Sequence, residues 1–245
     1  MKTALAVSLL AVSASTVFAT TTDELKIVSG SVTATILSNG TCTGNGCVDL
    51  TLKSGTASAV LASGSSFDGW DINLDFGTNN SPGLIPDGIQ NYANVYCTSG
   101  TCTTHPLEVF YSATPFNVPE GPNGFLETFA GAITGTGSHA VADEDGWFSN
   151  GGGLLSETSS IGSISVNSGM SQPVSGSKAG GTASTNTSYS LTLEDIFSAG
   201  GHSASFSMTG EIIPAIPPTP EPAAVVLFGT VLAFCASKLR RRLRS

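Results

Sequence analysis

Asp143-Glu144-Asp145-Gly146 sets three consecutive carboxylates ahead of a glycine and beside Trp147-Phe148. As a compact acidic turn, this run offers the oxygen ligands that a hard cation such as calcium takes, so Asp143, Glu144 and Asp145 are the metal candidates. Asp71-x-Asn73-x-Asp75 repeats oxygen side chains at alternate positions, as a calcium loop does. Its glycine comes one place late, at Gly77, and the twelfth position is Pro82 where the loop needs a glutamate. The polar face of a strand is the simpler reading of that segment. Calcium is the one cofactor the residues suggest; motifs for organic cofactors are absent.

Enzyme chemistry has little to build on. The histidines are His105, His139 and His202, and Gly201-His202-Ser203-Ala204-Ser205 lacks the final glycine of a nucleophile elbow. A glycosidase needs two carboxyls about 5–9 Å apart across a cleft. Glu108, Glu120, Glu127 and Glu211 are available, but their spacing singles out no pair. A non-enzymatic protein is expected. Sugar binding needs an aromatic platform with polar neighbours, and Trp70, Trp147, Tyr92 and Tyr96 are its candidates, although aromatics in a sandwich more often fill the core.

Four of the five cysteines form two close pairs, Cys42-TGNG-Cys47 and Cys97-TSGT-Cys102. Of the three possible connectivities, local bridges are favoured, because Gly44, Gly46 and Gly100 supply the tight turns they need. Zinc is the sharper alternative, but the four-residue spacing is at the edge of its usual range and the paired cysteines fit an oxidising compartment.

These residues must be held by strands. Val32, Ala34 and Ile36 recur at period two in the stretch Ile27 to Leu37. The same alternation marks Val48/Leu50/Leu52, Ile72/Leu74/Phe76, Leu107/Val109/Tyr111, Leu191/Leu193 and Ala204/Phe206/Met208. Phe125 to Ile133 is a further apolar segment, Ile161/Ile164/Val166 is irregular, and 167–188 is poor in large apolar residues and reads as a loop. Roughly ten strands between Gly- and Ser-rich turns imply an all-β fold, an antiparallel β-sandwich of jelly-roll type. Residues 20–213 form one domain of ordinary size. Its three lysines and 17 acids give 3 − 17 = −14, which disfavours nucleic acid and other polyanions as partners.

Both ends carry addresses. Met1-Lys2, the apolar run Ala4 to Val12 and Val17-Phe18-Ala19 read as a signal peptide over 1–19, cut by signal peptidase before Thr20. At the other end, 214–222 is a proline-rich stalk, about 30 Å long at polyproline-II rise. It ends in Pro220-Glu221-Pro222. An apolar span over 223–239 follows, short against the ~20 residues of a full transmembrane helix. Arg240, Arg241, Arg242 and Arg244 then form a basic tail, over 240–245, that stays cytoplasmic.

The order Pro-Glu-Pro, short apolar helix and arginine cluster resembles the PEP-CTERM sorting signal of Gram-negative bacteria that make exopolysaccharide. Segments Ser66 to Asn73, Leu107 to Phe116, Tyr189 to Leu193 and Ser205-Phe206 are similar to recurring stretches of uncharacterised PEP-CTERM proteins. The resemblance implies recognition of Pro220, Glu221, Pro222, Arg240, Arg241 and Arg242 by an exosortase, a membrane protease-transpeptidase. It also implies a transient membrane anchor and delivery to the outer surface or exopolysaccharide matrix. The expected role there is structural, with a carbohydrate-binding, lectin-like module as the alternative and extracellular polysaccharide as partner.

Overall fold

The computed structural model describes residues 22–53, 58–62, 64–79, 88–98, 100–116, 124–135, 139–151, 153–168, 172–181 and 188–214. The signal peptide, Pro220, Glu221, Pro222, the span over 223–239, and Arg240, Arg241 and Arg242 lie outside them, as does Glu120. Among the described residues no helix is long and apolar enough to cross a membrane.

The described chain is all-β. Its strands are β1 (Thr22–Ser29), β2 (Val32–Leu37), β3 (Cys42–Thr43), β4 (Leu50–Lys53), β5 (Ser58–Leu61), β6 (Trp70–Asn79) and β7 (Gly88–Cys97). There follow β8 (Leu107–Phe116), β9 (Phe125–Gly135), β10 (Ala140–Asn150), β11 (Ser159–Ser168), β12 (Gln172–Gly180), β13 (Tyr189–Ser198) and β14 (Ala204–Pro214). They form two seven-stranded sheets, in the orders β11-β10-β13-β8-β1-β2-β3 and β12-β9-β14-β7-β6-β5-β4. Successive strands from β7 to β14 change sheet at every step except β10 to β11, which pair as neighbours, giving β7-β14-β9-β12 over β8-β13-β10-β11. That is the strand order of an eight-stranded jelly roll. Strands β1 to β3 lengthen one sheet and β4 to β6 the other, beyond β8 and β7 respectively.

The core lies between the sheets because each strand turns one alternate set of side chains inward. Trp70, Phe67, Phe206 and Phe197 meet at one end of the sandwich, with ring centroids 6.1 Å apart for Trp70–Phe206 and 5.3 Å for Phe197–Phe206. Phe116, Tyr189, Phe125 and Phe148 form a second chain of rings, with neighbouring centroids 5.1–5.4 Å apart. Each such ring contributes roughly 1.5–3 kcal/mol by leaving water.

Several sequence expectations shift. The stretch Ile27 to Leu37 is two strands, because Gly30 takes φ +55° and reverses the chain between Ser29 and Val32. Val48 belongs to a 3-10 turn, Asn45–Asp49, and not to a strand. The stretch expected to be a loop contains β12, an edge strand paired only to β9. This edge strand packs closely on β11, where a Cβ on Gly176 would strike Ile164 and one on Gly180 the Ile161 carbonyl, so Gln172-PVSGSKA-Gly180 is built from small residues and leaves no period-two signal. Both local disulfides form, Cys42–Cys47 and Cys97–Cys102, with Cα atoms 5.9 and 5.6 Å apart.

Candidate carbohydrate-binding face

Strand β7 decides where the exposed aromatics go. Ile89, Asn91, Ala93, Val95 and Cys97 point into the core, so Gln90, Tyr92, Asn94 and Tyr96 point out. Tyr92 and Tyr96 are 42% and 43% exposed, and with Val48 they are the large hydrophobic side chains that stand out among the described residues. Val48 sits apart, on the turn inside the Cys42–Cys47 loop. Four residues of strand put the two tyrosines about 13–14 Å apart along one face.

The neighbouring strands surround them with small and polar groups. Asp71 on β6 pairs with Tyr96, which pairs with Ser205 on β14. The next outward row is Asn73, Asn94 and Ser207, and the one after is Asp75, Tyr92 and Thr209. Strand β9 continues the face with Thr134, Ala132 and Ala130. The Tyr92 hydroxyl lies 3.4 Å from Ser207 Oγ, which ties that ring to the sheet. Beyond Tyr96 the face runs into a groove of about 370 Å³ lined by Ser65, Ser66, Asp71 and Thr98 among others. Two exposed rings among small side chains, with carboxylate, amide and hydroxyl groups on the same face, can stack on sugar rings and hydrogen-bond their hydroxyls.

The other sequence candidates scatter. Trp70 is fully buried, and its Nε1–H donates to the His105 carbonyl at 3.1 Å, so it belongs to the core and not to a platform. Trp147 is half-buried on β10, in the opposite sheet. Asp143, Glu144 and Asp145 form no turn. They lie in the middle of β10, where alternation sends Asp143 and Asp145 outward and Glu144 into the core. Three carboxylates split between two faces of a sheet are not a metal-ligand set, and no group of three or more candidate ligands occurs among the described residues. Asp71, Asn73 and Asp75 do form the polar face of a strand.

The potential catalytic groups are equally dispersed. Glu108 is on β8 in one sheet, Glu211 faces outward on β14 in the other, and Glu127 is buried between them. Asp68, His105 and Ser29 come together at one end of the sandwich, with His105 Nδ1 2.7 Å and Ser29 Oγ 3.2 Å from the same Asp68 oxygen. The serine donates to the carboxylate and not to the imidazole, so this is a loop clasp without the nucleophile–base contact of a triad. It holds the β1–β2 turn, the approach to β6 and the approach to β8. His139 opens β10, and His202 is exposed before β14.

One constellation had no counterpart in the sequence reading. Glu127 on β9, Glu144 on β10 and Asp195 on β13 are all fully buried. Burial pushes Glu127 up to about 7, with Asp145 adding to the shift and Lys178 opposing it. Burial likewise raises Glu144 and Asp195 above the usual carboxyl range, and Glu144 is raised further by Asp195, Glu127 and Asp145. The signal was there to be found. Each acid occupies an inward register position, as in Phe125-x-Glu127-x-Phe129 and Leu191-x-Leu193-x-Asp195-x-Phe197.

No family model matches the chain, and no curated protein matches it. Solved structures show distant similarity. The enzymatically active domain of tailspike protein 4 from bacteriophage CBA120 aligns at 9% identity and TM-score 0.30, over 59% of this chain and 19% of that one. TmCBM61, solved in complex with β-1,4-galactotriose, aligns at 9% identity and TM-score 0.28, over 60% of this chain and 89% of that one. The CBM22-1 xylan-binding domain of Paenibacillus barcinonensis Xyn10C aligns at 11% identity and TM-score 0.26, over 62% and 90%. At these scores none of the similarities bears on function.

Proposed function

We propose that this chain is an exported, non-enzymatic protein of a Gram-negative envelope, delivered by its C-terminal signal to the cell surface or exopolysaccharide matrix, where the Tyr92–Tyr96 face binds polysaccharide. The observation that carries the binding reading is the pair of outward tyrosines on β7, set in a face otherwise built from small and polar side chains. Single exposed rings are ordinary on a protein surface, but two on one strand concentrate apolar area on one face, which supports a recognition surface. Asp71, Asp75 and Glu211 lie on the same face, and residues 20–213 carry a net charge of −14. The ligand is therefore a neutral glycan, because an acidic one would be repelled.

The test is depletion binding of the protein to insoluble neutral glucans, xylans and galactans, with alginate beads as the acidic comparison. Tyr92→Ala and Tyr96→Ala should each weaken binding to the preferred neutral glycan by about 5- to 30-fold, about 1–2 kcal/mol. Binding that survives the double substitution unchanged refutes the assignment of this face. For the sorting reading, intact mass of the secreted protein should show a chain that starts at Thr20, ends near Pro222 and lacks the arginine cluster.

A further inference from the structure

The Glu127–Glu144–Asp195 cluster sits where the two sheets meet. Glu127 comes from one sheet, and Glu144 and Asp195 from the other. Of the six carboxyl oxygens, five are buried and receive no hydrogen bond from a donor group of the protein: both of Glu127, both of Glu144, and Oδ1 of Asp195. Glu144 and Asp195 lie within hydrogen-bond reach of each other, a contact that a shared proton completes. The sixth, Asp195 Oδ2, accepts from the Asn91 amide of β7. Asn91 is held in turn by the Gly210 N–H of β14, which donates to its Oδ1.

Room for the three groups comes from missing side chains. A Cβ on Gly146 would lie 2.7 Å from Glu127 Oε2, one on Gly162 2.9 Å from the same oxygen, and one on Gly210 would overlap Glu144 Oε2. Strands β10, β11 and β14 thus each leave a space that a carboxyl group fills. The groups around the cluster supply little positive charge, with two acids against one lysine among them. Strand β10 brings Asp145, β13 brings Glu194, and β12 brings Lys178; β7 adds Asn91, β11 Gly162, and β14 Gly210 and Ile212. Three carboxylates in such a place would each lack both water and an adequate counter-charge, which is among the most costly arrangements a core can hold. Protons supply the missing donors: a neutral carboxyl beside a carboxylate turns repulsion into a hydrogen bond.

We propose that Glu127, Glu144 and Asp195 form a proton-binding latch between the two sheets, closed when the cluster is protonated and loosened when it ionises. The direction follows from linkage. Folding raises these groups above their unfolded carboxyl values of about 4, so the native state holds more protons than the unfolded one. The latch's contribution is present in full below the unfolded values. It is lost as pH rises through the folded ones, near 7 for Glu127 and upward for the Glu144–Asp195 pair. An exported protein experiences the pH of its surroundings directly, so acidification would tighten the sandwich and alkaline conditions would relax it.

The experiment is a series of thermal unfolding curves of the full chain in mild detergent, from pH 5 to pH 9, with either EDTA or millimolar calcium present. The wild-type midpoint should fall between pH 6 and pH 8 by about 3–5 °C per pH unit for each extra proton that the native state holds. The doubly substituted Glu127→Gln/Glu144→Gln protein should lose most of that slope and be the more stable of the two at pH 8. Should that variant fail to fold, infrared spectra of the wild type carry the test. They should show the carbonyl stretch of a protonated carboxyl at pH 7, weakening as the pH is raised. A midpoint that is flat or rises with pH, or an absent carboxyl band at pH 7, overturns the latch. So does a wild-type midpoint that calcium raises and EDTA lowers at constant pH, since that would make the cluster a cation site.

Discussion

Gly210→Ala tests whether the glycines at the core carboxyls are there to make room. The added carbon would overlap Glu144 Oε2 and lie 2.8 Å from Asn91 Oδ1. Glu144 has a flexible side chain, but it is fully buried and bordered by Asp195, so swinging aside means displacing packed neighbours. Asn91 is tied at both ends, to the Gly210 N–H and to Asp195, and cannot move without releasing one of them. Overpacking of this kind costs about 1–3 kcal/mol, and a buried hydrogen bond lost with it about 1–3 kcal/mol more. A combined loss of about 2–5 kcal/mol lowers the unfolding midpoint of a chain this size by roughly 5–15 °C. The decisive assay is a double-mutant cycle by thermal denaturation at pH 6, where the carboxyls are largely neutral. Gly210→Ala should cost at least about 1 kcal/mol less in a Glu144→Ala background, because the atom it strikes is gone. A midpoint change below about 1 °C, or an equal loss in both backgrounds, would refute the reasoning.

Two further outcomes follow from the same geometry. Each disulfide closes a loop of about six residues and so contributes only about 2 kcal/mol, but Cys97 and Cys102 are buried while Cys42 and Cys47 are partly exposed. Mild reduction of the native protein followed by alkylation and peptide mass analysis should label Cys42 and Cys47 first; equal labelling would contradict that order. Trp70→Phe should cost about 2–4 kcal/mol in denaturant unfolding, since it leaves a cavity beside Phe206 and removes the donor to the His105 carbonyl; a shift under about 0.5 kcal/mol would show that neither matters.

Much of the scaffold was legible in the sequence because period-two alternation is a local property. Ile72, Leu74 and Phe76 announced β6, and the same spacing placed Trp70 with them on the inward face, a signal that separates it from any platform. The strand that carries the tyrosines was harder to see. In β7 the inward set Ile89, Asn91, Ala93, Val95 and Cys97 includes an amide and a small residue while two large rings point out, so the period-two contrast between its faces is weak. Asp143-Glu144-Asp145 misled for a different reason. Three adjacent acids suggest a turn, yet in β10 the middle one turns inward into space left by Gly210 of β14.

By itself the sequence determined the all-β class, the local disulfides, the acidity of residues 20–213 and the composition of the two ends. Those properties depend on neighbours along the chain, and short-range spacing carries them. Only the tertiary structure decided that Tyr92 and Tyr96 share a face with Asp71 and Asp75, and that Glu127, Glu144 and Asp195 meet across the core. The cause is the crossing order of the jelly roll. It makes sheet neighbours of strands far apart in sequence, such as β7 and β14, and alternation along one strand says which residues share a side without saying what that side will face.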